Sequence, residues 1–100
     1  MNIAIDYDDT YTLDKILWNK IINIFLDNGH KVFCVTKRYE HIADDIRQDM
    51  QIPIIYATKS KLEATLQKDI MIDIWIDDKP QTIYPYIRAR NPLNKGFARY

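Results

Sequence analysis

Two apolar runs in this 100-residue chain each end in a crowd of carboxylates. Asn2-Ile3-Ala4-Ile5 leads into Asp6-Tyr7-Asp8-Asp9-Thr10, and Ile72-Asp73-Ile74-Trp75-Ile76 leads into Asp77-Asp78. A buried strand that stops in adjacent acids is costly, because like charges repel and each loses hydration. The pattern persists where a cation or hydrogen-bond donors hold it. Two strands ending alike therefore point to one divalent-metal site built from both.

The remaining pattern says what kind of fold brings those ends together. Thr12 is the expected N-cap of a helix in which Leu13, Ile16, Leu17, Ile21, Ile24 and Phe25 recur at helical spacing, and Gly29 ends it. Lys31 to Thr36 reads as a second strand and Glu40 to Met50 as a helix with Ile42, Ala43 and Ile46 inward. Pro53 stands before a third short strand, Ile54-Ile55-Tyr56, where a missing amide donor is easiest to accommodate. Ser60 and Glu63 have the spacing of a capping box, so a third helix should begin at Lys61 and carry Leu62 and Leu66 inward. Ile72 to Ile76 is the fourth strand, and a short helix is expected from Pro80 through Gln81 and Ile83.

Strands alternating with helices predict an α/β fold: a small, three-layer, Rossmann-like parallel sheet, strand order 4-1-2-3, with helices on both faces and right-handed crossovers. Ligands of such sheets bind beyond the carboxyl ends of the strands. The acids after strands one and four, Thr36 after strand two and Lys61 after strand three all fall on that edge. Residues 1–84 form the expected core, and 85–100 a tail made locally basic by Arg88, Arg90, Lys95 and Arg99.

Composition narrows the classes of function. With 47% hydrophobic residues and a formal net charge of zero, the chain can bury a core. Its balanced charge gives no long-range attraction to nucleic acid or an anionic membrane. The sequence has no membrane-length apolar stretch and no signal-peptide layout, so a cytoplasmic protein is expected. Cys34 is the single cysteine, and its apolar neighbours favour a core thiol over a nucleophile. His30 and His41 lack paired ligand spacing, and Tyr56 and Trp75 are expected to pack against helices.

The residue types at this edge suit phosphoryl chemistry. A carboxylate such as Asp6 can attack phosphorus when Mg²⁺ relieves the repulsion between two anions. Asp8, two residues on, falls on the same side of an extended chain, where it can protonate a leaving oxygen and later take a proton from water. Thr36 offers a hydroxyl and an amide to a phosphoryl oxygen, and Lys61 a point charge at a capped helix start. Asp77 supplies a second metal oxygen, and Asp78 binds through water or orients the others. Lys37 and Arg38 are further candidates for substrate contact, as loop charges beside a site. Lys59 competes with Lys61 as the phosphate-binding lysine.

These segments resemble the haloacid-dehalogenase (HAD) superfamily of phosphatases. Asp6-Tyr7-Asp8-Asp9-Thr10 is similar to its DxDxT motif, and Phe33-Cys34-Val35-Thr36 to its strand ending in Thr or Ser. Lys61 is similar to its third-motif lysine, and Ile76-Asp77-Asp78 to its terminal acid pair. The resemblance implies an aspartyl-phosphate enzyme with Asp6 as nucleophile and Asp8 as acid/base. Mg²⁺ would be held by Asp6, the Asp8 carbonyl and Asp77, with Asp78 assisting. Thr10, Thr36 and Lys61 would serve the phosphoryl group. The whole chain is similar to short stand-alone members often found in phage genomes. It departs in having Asp9 where the family commonly has Gly, and it leaves no room for a cap domain.

Three classes follow: a Mg²⁺-dependent phosphohydrolase acting on a nucleotide, sugar phosphate or phosphorylated nucleic-acid end; a protein of the same fold that sequesters a phosphorylated signal nucleotide without turnover; and a phosphoacceptor receiver module. The receiver ranks last, since its lysine should follow the last acidic strand whereas Lys61 precedes Asp77. A capless site and the aromatics Tyr39, Tyr84 and Tyr86 also lead to the expectation of a homo-oligomer.

Overall fold

Ile3, Ala4 and Ile5 bring apolar side chains to both sides of the pleat, the pattern of a strand covered on both faces. In the computed structural model, which describes residues 1–85, all three are at most 1% exposed. They form β1 (Asn2–Ile5), flanked in parallel by β2 (Lys31–Thr36) and β4 (Ile74–Ile76), with β3 (Ile54–Tyr56) beyond β2. The order β3-β2-β1-β4 is the one the sequence predicts. Ile5 lies level with both Cys34 and Ile76, and the Asp6 amide donates to the Ile76 carbonyl at 3.0 Å. That register carries Asp6 and Asp77 out of the sheet side by side.

Helices cover both faces. Helix α1 (Lys15–Asp27) and helix α2 (Asp44–Asp49) pack through Ile22, Ala43 and Ile46 onto Ile3, Ile5, Val32 and Cys34. Helix α3 (Lys61–Leu66) brings Ala64 to the opposite face, where Ala4, Val35 and Ile55 are buried beside Trp75. Cys34 is fully buried, and loss of hydration pushes its thiol up to about 12, so it is a core group and not a nucleophile. Gly29 ends the α1 region at φ 81°, in the left-handed region that glycine enters without strain. No helix among the described residues is long and apolar enough to cross a membrane.

Several elements differ from expectation, each for a local reason. The α1 N-cap is Asp14, whose Oδ1 accepts the Leu17 amide at 3.1 Å; the Thr12 hydroxyl instead accepts the Asp9 amide at 3.0 Å. Tyr11–Leu13 is a separate 3-10 turn. The core-facing stripe of α1 is Trp18, Ile22 and Phe25, while Leu13, Ile16, Leu17 and Ile24 are 47–76% exposed. Both stripes have helical spacing, and periodicity alone cannot say which one meets the sheet. The segment expected as one helix from Glu40 splits into a 3-10 turn, Glu40–Ile42, and α2, leaving Ile42 exposed. In α3, Thr65 is buried and Leu66 exposed, and β4 begins at Ile74, two residues later than expected. Pro80–Thr82 is a 3-10 turn, with Ile83 buried after it. Tyr39 and Tyr84 are exposed; Tyr86 and the basic tail lie outside the described residues.

The assignment of the α1 faces is checked by urea unfolding of two alanine variants. Ile22→Ala should cost about 2–4 kcal/mol, as large-to-small changes in a core do. Ile16→Ala should shift stability by less than about 0.5 kcal/mol, as surface changes do.

Candidate functional site

Lys61 is the first residue of α3, and its backbone is fixed by its neighbours. The Ser60 hydroxyl accepts the Glu63 amide at 3.1 Å while Glu63 Oε1 accepts the Ser60 amide at 3.2 Å, which is the reciprocal cap expected from the sequence. From that position the Lys61 side chain, 3% exposed, runs under the strand ends. Its Nζ donates to Asp6 Oδ1 at 2.9 Å and to Asp77 Oδ2 at 2.5 Å. Lys61 is thus the lysine at the acids. Lys59 is exposed, and its carbonyl accepts from the Lys37 ammonium.

The acids are held from several directions. Asp77 Oδ1 accepts the Lys79 amide at 2.9 Å. The Thr10 hydroxyl donates to Asp78 Oδ1 at 3.0 Å, accepts the Asp78 amide at 3.1 Å, and stands 3.5 Å from Asp6 Oδ2. Thr10 is therefore a tie between the ends of β1 and β4. Asp6, Asp77 and Asp78 each bring an oxygen within 4.8 Å of the others, and such a set of hard oxygen donors fits a small divalent cation such as Mg²⁺. The Asp8 carboxylate is not in that group.

Asp8 belongs to a second arrangement. Arg38 clasps both of its oxygens, Nε to Oδ2 at 3.1 Å and Nη2 to Oδ1 at 2.9 Å. The same guanidinium grips Asp45 at 2.9 and 3.0 Å and lies 5.6 Å over the Tyr7 ring. These hydrogen bonds, first to Asp45 and then to Asp8, hold the guanidinium above its ordinary range. The clasp lowers the Asp45 carboxyl. Thr36 is buried beneath this loop, where its hydroxyl accepts the Arg38 amide at 3.0 Å. Asp9 takes φ 61°, a conformation open to glycine and more accessible to aspartate than to most residues.

The acids open onto a cleft of about 250 Å³ walled by Asp6, Asp8, Asp9, Lys37, Lys61, Asp77, Lys79 and Thr82. The structure thus brings Asp6, Asp8, Lys37, Lys61 and Asp77 to one cleft, with Thr10 and Asp78 tied behind it. Thr36 and Arg38 are not among its walls. Sequence reasoning missed Lys79 and Thr82, which follow the last strand, and the Asp45 partner of Arg38. The Asp78-Lys79-Pro80 turn was the available signal for the first two. Nothing in the spacing marked Asp45. In comparisons with known proteins the chain matches no family model, no curated protein and no solved structure.

Burial sets the charge state of the centre. Loss of hydration, opposed by Lys61 and reinforced by Asp77, raises the Asp6 carboxyl from 3.8 to about 6. For Asp78 loss of hydration also acts upward and is the largest single influence, but bonds with Thr10 and Asp6 outweigh it and lower the carboxyl. An acid that binds its proton more tightly when folded contributes stability that is fully present below its unfolded value and lost as pH rises through the folded one. In EDTA the stability of wild type relative to Asp6→Asn should fall by about 2 kcal/mol between pH 4 and pH 6.5 in urea titrations, as the Asp6 contribution is lost. Lys61→Met, which leaves Asp6 and Asp77 facing one another, should cost about 3–5 kcal/mol at pH 7.5. Millimolar Mg²⁺ should restore part of that loss in thermal unfolding.

Proposed function

We propose that the chain is a Mg²⁺-dependent phosphohydrolase of HAD type, acting through an aspartyl-phosphate on a small phosphomonoester such as a nucleotide or sugar phosphate. The observation that carries this reading is the convergence of Asp6, Asp77 and Asp78 with the buried Lys61 at the carboxyl ends of adjacent strands. Mg²⁺ bound by those three carboxylates would neutralise charge between the nucleophile and the phosphoryl oxygens. The HAD likeness rests on the motifs quoted above.

Each step is assigned to a residue of the chain. Lys61 gives up its bonds to Asp6 and Asp77 in favour of the incoming phosphoryl oxygens. An Asp6 oxygen forms a bond to phosphorus as the bond to the leaving oxygen breaks, and that oxygen takes a proton from Asp8. Asp8 then removes a proton from water, the water oxygen bonds to phosphorus, and the bond from phosphorus to Asp6 breaks to release phosphate. Lys37, on the cleft wall, attracts the anion.

One observation favours a second reading, sequestration of a phosphorylated nucleotide without turnover. Arg38 occupies both oxygens of Asp8, and turnover requires that clasp to open. The readings separate on two measurements. Mg²⁺-dependent phosphate release from a panel of phosphomonoesters should fall at least about 10³-fold in Asp6→Asn and on EDTA addition, and equal release by wild type and variant would sink catalysis. Chromatography of ligand freed by heat should yield dephosphorylated product for an enzyme and intact nucleotide for a sequestering protein.

A further inference from the structure

The inner cleft, at about 250 Å³, falls below the size range of pockets that enclose a whole small-molecule ligand, and suits a phosphate with little attached to it. A wider chamber of about 480 Å³ adjoins it, sharing Lys37 and Thr82 as common wall. The chemistry changes across that wall. The inner cleft is lined by Asp6, Asp8, Asp9 and Asp77 together with Lys37, Lys61 and Lys79, whereas the outer chamber has no aspartate and carries Lys37 and Lys59. Its one acid, Glu63, has Oε1 engaged by the Ser60 amide and hydroxyl at 3.2 and 3.0 Å. The chamber is also lined by Tyr84, 58% exposed, and by Gln81. A substrate running outward from Asp6 past Lys37 and Thr82 therefore enters a chamber that combines two lysines, an exposed tyrosine and a side chain that both donates and accepts hydrogen bonds.

We propose that this outer chamber receives the nucleoside part of a nucleoside phosphate, its base stacked on Tyr84 and its phosphate-sugar side along Lys37 and Lys59. The assignment rests on the phosphate-site reading above and narrows its substrate to a nucleotide. A sugar phosphate would fill the inner cleft and leave the tyrosine bare. Stacking on an aromatic ring is available to every base, so Tyr84 supplies affinity for a nucleotide, and the polar edge of Gln81 supplies whatever choice is made among bases.

The test compares adenosine 5′-monophosphate with ribose 5-phosphate, which differ only by the base, in Mg²⁺-dependent phosphate release. Wild type should show kcat/KM at least about tenfold higher for the nucleotide, a modest stacking effect. Tyr84→Ala should bring the two within threefold, and Tyr84→Phe should keep the preference. Equal treatment of both compounds by wild type, or an undiminished preference in Tyr84→Ala, overturns the chamber assignment and leaves the phosphohydrolase reading standing. Where neither compound is turned over, titration calorimetry with the same two compounds and Mg²⁺ decides the chamber. Nucleotide binding about tenfold tighter than that of ribose 5-phosphate, lost in Tyr84→Ala, supports it; equal or absent binding overturns it.

Discussion

The Lys61 ammonium between two carboxylates is the central tie of this edge of the molecule, with Thr10 as a second. Parallel pairing of β1 with β4 delivers Asp6 and Asp77 to neighbouring positions, and without a cation between them the register itself would be electrostatically penalised. Lys61 supplies that cation from the other side of the sheet. It does so because a Ser-Glu cap starts α3 at that residue, so a local backbone device fixes where a long, flexible side chain is anchored. A metal ion and the lysine can serve the same two acids. A divalent cation held by Asp6, Asp77 and Asp78 would compete with Lys61 for two of those acids.

Much of the arrangement was readable from residue order. Strand order, the two-sided sheet, the capped α3 and the meeting of Asp6, Lys61 and Asp77 all follow from apolar runs punctuated by acids and turn residues. What could not be read is what depends on competition between similar groups. The outer and inner stripes of α1 are equally periodic, and the aromatic rings of Trp18 and Phe25 take the core position. Thr12 and Asp14 are both good caps, and the loop claims the first. Thr36 offers a hydroxyl in the expected place, but a neighbouring backbone amide engages it.

The Arg38 arrangement is the largest feature without a sequence signal. One guanidinium joins Asp8 of the first loop and the face of the adjacent Tyr7 to Asp45 of α2, two segments far apart in sequence. Its planar fork matches two carboxylates at once, which a lysine could not do. Tyr7 is in turn fixed by a hydrogen bond to Asp49, and Lys15 pairs with the same carboxylate. The loop that carries Asp8 is thus fastened to α2 and not to the Asp6-Asp77-Asp78 cluster, so the two carboxylates of the Asp6-Tyr7-Asp8 segment have different mechanical attachments.

The outer face of α1 bears on how the protein behaves in bulk. Ile16, Leu17 and Ile24, with Leu13 of the preceding turn, present oil to water, on a chain whose positive and negative charges cancel. Colloidal stability normally comes from mutual repulsion, and here it vanishes near the isoelectric point of about 6.7. Self-association in concentrated solution should be strongest close to neutral pH, with clearer solutions on the alkaline side, where every copy carries the same sign.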